Sequence, residues 1–270
     1  MKLKVLVDNN TYIDKYYMGG PGASYYIEES GVKLLLDVGY SGVFMDNARK
    51  MGVDLSQLNA LVLSHGHDDH TGGLQRFFDE GDRSKVTLVT HPGALDLKTK
   101  DGEKVGSPMG RAKIASGCRL VQTRTSLILS QNLMYLGEIP RVTAFEEPYA
   151  IGETETGGKT GPDFLVDDSA LVYKGKEGIY IITGCSHSGI CNIVEHAKTV
   201  SGTEKVAGLI GGLHLFNAHS RRSKETIEYL KAQGIKELYP CHCTSFEVRA
   251  ALHYESPIKE VGVGLELDWE

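Results

Sequence analysis

The stretch of the chain that decides the fold reads Ser64-His65-Gly66-His67-Asp68-Asp69-His70-Thr71-Gly72-Gly73. His65 and His67 are two residues apart, so at the end of an extended strand both imidazoles point to one side, where a single metal ion can accept them. Asp69 and His70 follow where the chain turns into the next helix, and they can reach a second ion. Imidazole and carboxylate ligands together suit borderline divalent metals. The alternative interpretation is a polar turn with solvent-exposed histidines.

The segments around this stretch predict alternating strands and helices. Residues 24–28 and 32–37 are typical of a β-hairpin. Residues 42–51 have the apolar spacing of a helix, and residues 58–64 have the pattern of a buried strand. Further strands are predicted at residues 85–90, 178–183, 206–211 and 235–239, and further helices at residues 75–80, 190–200 and 223–233.

Residues 98–163 contain many glycines and polar residues with weak periodicity, including a loop-like stretch at residues 152–158. We interpret residues 98–163 as an insertion, or lid, over the site of a single domain that spans residues 1–270. Its basic side chains could form a face for a phosphorylated substrate, and a solvated lid is the alternative. These basic residues are Lys98, Lys100, Lys104, Arg111, Lys113, Arg119, Arg124 and Arg141.

The composition is that of a folded protein, and it disfavours some classes of binding partner. Hydrophobic residues make up 41% and charged residues 24%, which is enough for an apolar core. The formal net charge of −6 disfavours nonspecific attachment to nucleic acid. No export signal or apolar run long enough for a membrane span is visible, so we expect a cytoplasmic protein with no membrane partner. The five cysteines lack metal-knuckle spacing and are expected to be free thiols, and the oligomeric state is left open.

A His-x-His-x-Asp-His motif after a strand, in a chain with two α/β halves, resembles the metallo-β-lactamase superfamily. The resemblance implies an α/β fold arranged as a four-layer αββα sandwich. It also implies that further metal ligands follow strands in the second half of the chain, which points to His187 and His242. His214, in a similar position, is a substrate contact, a partner of a ligand or a ligand itself. His91 is expected to line the pocket.

One position departs from the pattern of the superfamily. Many members have an aspartate that bridges two metal ions in a Gly-Asp turn, whereas this chain has Gly184-Cys185. A thiolate at Cys185 could substitute, because a nearby metal lowers the pKa of a thiol, and a buried inert cysteine is the alternative. The expected cofactor is therefore one or two divalent metal ions, with zinc favoured and manganese or iron as alternatives.

Further motifs resemble the dihydropteroate-synthase-like group of the superfamily. They are the hairpin end at residues 37–39, residues 135–141, and the turns at residues 184–190, 211–215 and 241–244. The named activity of that group implies an enzyme in which an aminobenzene-type nucleophile attacks a pterin methylene carbon and pyrophosphate leaves. In this interpretation Asp69 and His214 are catalytic, and Arg141 and His91 contact a small, phosphorylated substrate.

Other functions remain as alternatives at this stage. The first is a metal-dependent hydrolase of a phosphodiester, lactone or thioester, because a metal-bound water is a general hydrolytic reagent. The second is a metal-binding module without catalysis, in which protein ligands close the site. A ribonuclease is disfavoured by the acidic charge, and a flavodiiron oxidoreductase by the absence of room for a flavin domain. His196, His219 and His253 are expected to be surface or packing residues.

Overall fold

In the computed structural model, which describes residues 1–270, short strands and helices alternate along the whole chain. In chain order the strands are β1 (Lys2–Val7), β2 (Ser24–Glu29), β3 (Val32–Leu36), β4 (Ala60–Val62), β5 (Thr87–Thr90), β6 (Leu97–Lys100), β7 (Glu103–Lys104), β8 (Arg119–Gln122), β9 (Leu127–Ile128), β10 (Leu133–Tyr135), β11 (Glu153–Thr156), β12 (Lys159–Pro162), β13 (Ala170–Gly175), β14 (Gly178–Thr183), β15 (Val206–Gly212), β16 (Glu237–Cys241) and β17 (Glu266–Asp268). The helices are α1 (Val43–Lys50), α2 (Asp68–Thr71), α3 (Leu74–Asp79), α4 (Arg111–Gly117), α5 (Ile190–Ser201), α6 (Arg221–Gln233) and α7 (Phe246–Glu255), with short 3₁₀ turns at Leu55–Gln57 and Pro92–Leu95.

Most strands belong to two large sheets. The first has seven strands in the order β17-β1-β2-β3-β4-β5-β8, and the second has six in the order β16-β15-β14-β13-β10-β9. A third sheet of four strands, β12-β11-β6-β7, stands apart from them. The first and last strands of the chain lie side by side, because β1 and β17 pair as antiparallel neighbours.

The hydrophobic residues divide between three cores, and this division defines the layers. In β3, Leu34 and Leu36 face the core between the two sheets, whereas Leu35 faces the core beneath α1 and α3. In β14, Ile182 faces the central core and Ile181 faces the core beneath α5, α6 and α7. Successive side chains of a strand point to opposite faces, so each sheet contributes to two cores. The layers are helix, sheet, sheet and helix, and the predicted αββα sandwich is confirmed.

The parallel strands of both sheets end at the same edge of the sandwich. Strands β3, β4 and β5 are parallel neighbours in the first sheet, and β14, β15 and β16 are parallel neighbours in the second. Loops at the carboxyl ends of parallel strands are the usual location of ligand sites in α/β proteins. The histidine-rich loops after β4, β14, β15 and β16 therefore lie close together.

Several predicted elements agree closely with the observed ones. The strand predicted at residues 178–183 coincides with β14, and the helix predicted at residues 223–233 is α6 with two more residues at its start. Strand β1 and helix α7 were not predicted. Helix α7 begins after Ser245, whose hydroxyl accepts the backbone N–H of Val248, a capping signal that was present in the sequence.

The part of the chain that lies outside the sandwich is smaller than the insertion predicted at residues 98–163. Within that range β8 extends the first sheet, and β9 and β10 extend the second, so these segments are part of the scaffold. Only β6, β7, β11 and β12 form the separate sheet. Residues 152–158 are not a loop but include β11, which pairs with β12 across a turn at Gly157 and Gly158, both at positive φ. A Gly-Gly pair between two strands is a sequence signal for a hairpin. The two strands here contain few hydrophobic residues, so their pattern did not indicate β-structure.

The fold carries no membrane-crossing element among its helices. None of them combines the length and the apolar character that such a crossing would require.

Candidate metal centre

The first loop of the site follows β4 and runs along the separate sheet. Asp68 donates its backbone N–H to the carbonyl of Val105 at 2.9 Å, and His67 forms a β-bridge with Gly106. Gly66 lies against the backbone of Ala94, where an added Cβ would come within 2.2 Å of the carbonyl oxygen. The loop between the two histidines is therefore packed tightly on both sides.

One group of histidines brings three imidazole rings together. Nε2 of His65 lies 3.2 Å from Nε2 of His187, which follows β14 in the other half of the chain. The ring of His67 lies 4.8 Å from that of His65 and 4.9 Å from that of His187, measured between centroids. We call His65, His67 and His187 the first ligand set.

A second group lies beside the first. Nε2 of His70 lies 3.2 Å from Nε2 of His242, which follows β16. Oδ2 of Asp69 lies 3.3 Å from Nε2 of His242 and 3.7 Å from Nε2 of His70. We call Asp69, His70 and His242 the second ligand set. The rings of His65 and His70 are 4.3 Å apart, so the two sets are neighbours.

The two ligand sets fit divalent metal ions. Nitrogen ligands of a tetrahedral zinc ion lie about 3.3 Å apart, given Zn–N bonds of about 2.0–2.1 Å. The Nε2–Nε2 distances of 3.2 Å in both sets match this separation. Nε2 of His67 is buried and has no hydrogen-bond partner in the protein, which leaves its lone pair for an ion. Imidazole with one carboxylate is a donor set for zinc or a similar borderline ion.

The buried carboxylate of Asp37, directly after β3, fixes ligands in both sets. Its Oδ2 lies 2.7 Å from Nδ1 of His70 and accepts the hydroxyl proton of Ser64 at 2.6 Å. Because that proton is given to Asp37, the hydroxyl oxygen of Ser64 accepts the Nδ1 proton of His65 at 3.0 Å. His65 and His70 therefore carry their protons on Nδ1, and Nε2 of each is free to bind metal.

His242 is oriented by the segment after β1. Its Nδ1 lies 2.7 Å from Oδ1 of Asn9, and its backbone N–H donates to Oδ2 of Asp8 at 3.1 Å. The amide oxygen of Asn9 accepts the Nδ1 proton, which again frees Nε2. Burial raises the pKa of Asp8, although hydrogen bonds from backbone N–H groups oppose this.

Burial keeps the first ligand set neutral. It lowers the pKa of His65 and of His187 well below the ordinary value, and the neighbouring imidazoles add to the effect. Burial also lowers the pKa of His67 to about 4, although Asp69 and Asp167 oppose this. Neutral imidazole is the form that binds metal, so this set is ready to accept an ion near neutral pH.

The second ligand set contains a charged pair when no metal is bound. Burial alone would lower the pKa of His70, but the carboxylates of Asp69 and Asp37 outweigh it and raise that pKa to about 9. Burial likewise opposes ionisation of Asp69, but His70 and His242 hold its pKa below the ordinary value. Binding of an ion at Nε2 of His70 would therefore displace a proton from this ring.

A buried ion pair supports the loop of the first ligand set from behind. Nζ of Lys98, which is 2% exposed, lies 2.7 Å from Oδ2 of Asp163 and 3.0 Å from Oδ1 of Asp167. The other oxygen of Asp167 accepts the backbone N–H of Gly66 at 2.9 Å. This arrangement connects the separate sheet to the residue between His65 and His67.

Four residues other than glycine adopt left-handed backbone conformations around the site. They are Asp37, Ser186, His214 and His242, with φ between 48° and 60°. Such conformations cost free energy for residues with a Cβ and often occur at functional sites. Each of these residues lies at or just after the carboxyl end of a strand, so the turns that leave the sheets here are sharp.

A cavity of about 710 Å³ opens above the ligand sets. His67, Asp69 and His214 lie along it, and Lys100 supplies a cationic side chain. Aromatic side chains form much of the remaining wall, namely Tyr40, Tyr149 and Phe216, each partly exposed to the cavity. A cavity of this size with aromatic walls suits a planar organic molecule.

His214 lies between the first ligand set and this aromatic wall. Its ring centroid is 4.2 Å from that of His187, 4.8 Å from that of Phe216 and 6.3 Å from that of Tyr149. Its Nδ1 is buried without a hydrogen-bond partner in the protein. The structure therefore brings His214 to the site and to the cavity.

His91 does not line the cavity, contrary to the prediction. Its side chain is fully buried, with Nδ1 accepting the backbone N–H of Gly93 at 3.0 Å and Nε2 lying 3.1 Å from Oε2 of Glu138. The residue caps the 3₁₀ turn at Pro92–Leu95. A histidine directly after a strand was interpreted as a pocket residue, but here the turn that follows satisfies its ring.

Arg141 does not line the large cavity either. It borders a separate cavity of about 220 Å³ with Asp168 and Ser188, and its guanidinium donates to the carbonyl of Phe164. The predicted basic face is also dispersed, because most of those side chains bind elsewhere. Lys98 is buried, and Lys113 donates to Gln75. Arg111 pairs with Asp96, and Arg124 pairs with Glu138. Of the predicted basic face, Lys100 lies at the large cavity.

Other residues of the site were not identified from sequence. Asp37, Ser64 and Asn9 orient ligands through hydrogen bonds, and Asp167 holds the loop through Gly66. A polar residue at the end of a parallel strand, as at Asp37 and Ser64, was a usable signal.

The sequence as a whole matches a known family. The family model of the metallo-β-lactamase superfamily covers residues 17–242. The chain therefore belongs to the metallo-β-lactamase superfamily.

Individual proteins are also similar to this chain over nearly its whole length. The chain is 30% identical to 7,8-dihydropterin-6-methyl-4-(β-D-ribofuranosyl)-aminobenzene-5'-phosphate synthase of Methanocaldococcus jannaschii, across 92% of this chain and 88% of that protein. A crystal structure of a metal-dependent hydrolase of the β-lactamase superfamily is 26% identical with a TM-score of 0.84, covering 99% of this chain and 98% of that one. A diphosphatase of the PhnP family, at 15% identity and a TM-score of 0.56 over 98% of this chain and 96% of its own, shares the fold.

Proposed function

We propose that this protein is a metal-dependent enzyme that acts on a phosphorylated or pterin-type small molecule. The observation that carries the proposal is that each ligand set contributes one residue, His67 or Asp69, to the wall of an open cavity that is also lined by aromatic side chains. A metal site used only for structure is normally closed by protein ligands. The open cavity above Asp69 and His67 supports catalysis over a purely structural metal-binding module.

The similarity to the synthase of M. jannaschii supports a transfer reaction. In such a reaction the amino nitrogen of the aminobenzene attacks the methylene carbon of the pterin, pyrophosphate leaves with the bonding electrons of the broken C–O bond, and the nitrogen loses its proton. Tyr40, Tyr149 and Phe216 offer flat surfaces for the two ring systems, since offset stacking of aromatic groups is favourable. Lys100 is suited to pair with phosphate oxygens near the mouth of the cavity.

The metal ions in this proposal are held by the two ligand sets. His65, His67 and His187 would hold one ion, and Asp69, His70 and His242 would hold the other. Divalent ions here would supply positive charge that offsets the charge developing on substrate or leaving-group oxygens.

The protein contributes positioning and proton handling. Asp37, Ser64 and Asn9 hold the ligand imidazoles in one tautomer, as their hydrogen bonds require. His214, with a buried and unpaired Nδ1 beside the cavity, is suited to donate or accept a hydrogen bond with the substrate.

A hydrolase is the second candidate. The observation that favours it is the similarity to a structure described as a metal-dependent hydrolase, at 26% identity over 99% of this chain. The same cavity and ligand sets would then bind a phosphodiester, lactone or thioester. His214 would again be placed to exchange a proton with the reacting group.

One experiment separates these candidates. Protein purified without added metal is subjected to elemental analysis and then assayed with a dihydropterin methyl pyrophosphate plus an aminobenzene ribofuranosyl phosphate. Parallel assays use phosphodiester, lactone and thioester substrates, each with and without a chelator. Chelator-sensitive coupling with release of pyrophosphate supports the transferase, and chelator-sensitive hydrolysis without coupling supports the hydrolase.

Matched variants test the ligand assignment in the same preparations. Exchange of His65 and His67 for alanine is expected to remove most of the bound metal and the activity. His219→Ala is the control, because His219 is exposed and lies outside both ligand sets. Unchanged metal content in the double variant would overturn the assignment, and the absence of bound metal in the wild-type protein would overturn the proposed function.

A further inference from the structure

Cys185 occupies a central position in the metal centre. It follows β14, is 2% exposed, and its Sγ lies 3.1 Å from Nε2 of His70. This sulfur groups with the ligand atoms of Asp69, His70 and His242, all within 4.8 Å of one another. It groups in the same way with the ligand atoms of His65 and His187. The thiol therefore lies within reach of both ligand sets.

The separation of Cys185 from His70 suits two ligands of one ion. A Zn–S bond of about 2.3 Å and a Zn–N bond of about 2.0–2.1 Å place sulfur and nitrogen about 3.5 Å apart in a tetrahedral site. The observed distance of 3.1 Å is close to that value. The alternative of a simple packed thiol does not account for a sulfur among so many converging ligand atoms.

Cys243, the other thiol of the site, lies beside Cys185 and His214. Its Sγ accepts the backbone N–H of His214 at 3.3 Å and lies 3.6 Å from the backbone oxygen of Cys185. It groups with Cys185 and His214, but not with the ligand atoms of either set. Gly212 packs against it, since an added Cβ there would come within 2.4 Å of the Cys243 sulfur.

We propose that Cys185 provides a thiolate ligand shared by the two metal positions, and that this ligand makes the centre select zinc over manganese. The inference rests on the proposed metal binding. When the ion binds, the S–H proton leaves to solvent and the sulfur lone pair forms the bond to the metal, with no change in oxidation state. Thiolates favour zinc and cobalt, whereas manganese favours oxygen ligands.

Cobalt(II) substitution tests the ligand directly, because thiolate bound to cobalt gives a charge-transfer absorption band in the near ultraviolet. The metal-free protein is titrated with cobalt, and the wild type is compared with Cys185→Ser and Cys243→Ser. Cys118→Ser is the matched control, since Cys118 is buried in the core beneath α1 and α3. The expected result is a band in the wild type that disappears in Cys185→Ser and persists in the two other variants.

Each other outcome has a distinct meaning. If the wild type binds cobalt without showing the band, the proposal of a shared thiolate is overturned and the proposed function is not affected. A band that persists in Cys185→Ser, or disappears in Cys243→Ser, also overturns it. No cobalt or zinc bound at all overturns the proposed function itself. If Cys185→Ser does not fold, the comparison of wild type with Cys243→Ser remains decisive, because a band that persists without Cys243 must come from Cys185.

Competition between zinc and manganese tests selectivity. Equal concentrations of the two ions are offered to metal-free wild type and to Cys185→Asp, and the bound ions are counted by elemental analysis. The carboxylate is expected to lower the ratio of bound zinc to bound manganese by at least about tenfold. An unchanged ratio would contradict the selectivity attributed to Cys185.

Discussion

Oδ2 of Asp37 lies 2.7 Å from Nδ1 of His70 and simultaneously accepts the hydroxyl proton of Ser64, which in turn accepts the Nδ1 proton of His65. One buried carboxylate thus orients a ligand in each of the two sets. Contacts of this kind fix the tautomer of a metal-binding histidine and hold its ring in place. The two ligand sets therefore depend on the same side chain.

Asp37→Asn is expected to weaken metal binding in both ligand sets. Oδ1 of Asp37 accepts the backbone N–H of Ser64 at 2.7 Å, so an asparagine that keeps this contact directs its NH₂ group toward the protons of Ser64 and His70. His70 then takes the tautomer with its proton on Nε2, which cannot bind metal. We expect zinc affinity to fall by about 10- to 100-fold in a chelator competition titration. Asp79→Asn, on an exposed part of α3, is the control, and equal affinities in both variants would contradict the role of Asp37.

Asp168 is expected to make stability depend on pH in the metal-free protein. Burial raises its pKa to about 6, although hydrogen bonds from Ser188 oppose this, and its Oδ1 has no partner. A group with a raised pKa contributes stability that is complete below the unfolded-state pKa and is lost as pH rises through the folded-state pKa. Relative to Asp168→Asn, the wild type should therefore lose about 2–3 kcal/mol of unfolding free energy between about pH 4 and about pH 7.

Urea unfolding in the presence of a chelator measures this difference at several pH values. Asp79→Asn serves again as the control, and its difference from the wild type should stay nearly constant over the same range. A constant difference for Asp168→Asn would mean that the Asp168 carboxyl ionises in the folded protein as it does in the unfolded chain.

The strands and the ligand loop could be predicted because each depends on a local pattern, whereas the αββα layers followed from the resemblance to the superfamily. The apolar run at residues 178–183 identifies β14, and the spacing of His65, His67, Asp69 and His70 puts four donors in one short loop. The resemblance to the superfamily directed attention to His187 and His242, and the structure brings both to the site. Their role as ligands stays a prediction until metal binding is measured.

The contacts that orient these ligands could not be predicted in the same way. Asn9 and His242 are separated by 233 residues, and Gly66 and Asp167 by 101 residues. No local spacing signals such a contact, because it depends on which loops the sheet topology brings together. His91 shows the converse error, since its position after β5 matched the pattern of a pocket residue while the turn at Pro92–Leu95 satisfies its side chain.

Lys98→Met is expected to destabilise the protein strongly. Lys98 is buried between the carboxylates of Asp163 and Asp167, and its removal leaves two buried negative charges without a partner. Breaking a buried ion pair in this way costs about 3–5 kcal/mol. Lys100→Met, two residues along the same strand but exposed, should change stability by less than about 0.5 kcal/mol. Denaturant unfolding compares the two, and the combined exchange Lys98→Met with Asp163→Asn should recover part of the loss.

Gly66→Ala is expected to impair metal binding without touching a ligand. A Cβ at Gly66 would lie 2.2 Å from the carbonyl oxygen of Ala94 and 2.8 Å from Cε of Lys98, so the backbone between His65 and His67 must move. Overpacking of this kind costs about 1–3 kcal/mol, and the displacement shifts His65 and His67, two of the three imidazoles of the first ligand set. Gly161→Ala is the matched control, because a Cβ at Gly161 meets nothing within 4 Å. Unfolding measurements and chelator competition should show losses for Gly66→Ala alone, and wild-type zinc affinity in that variant would show that the loop tolerates the shift.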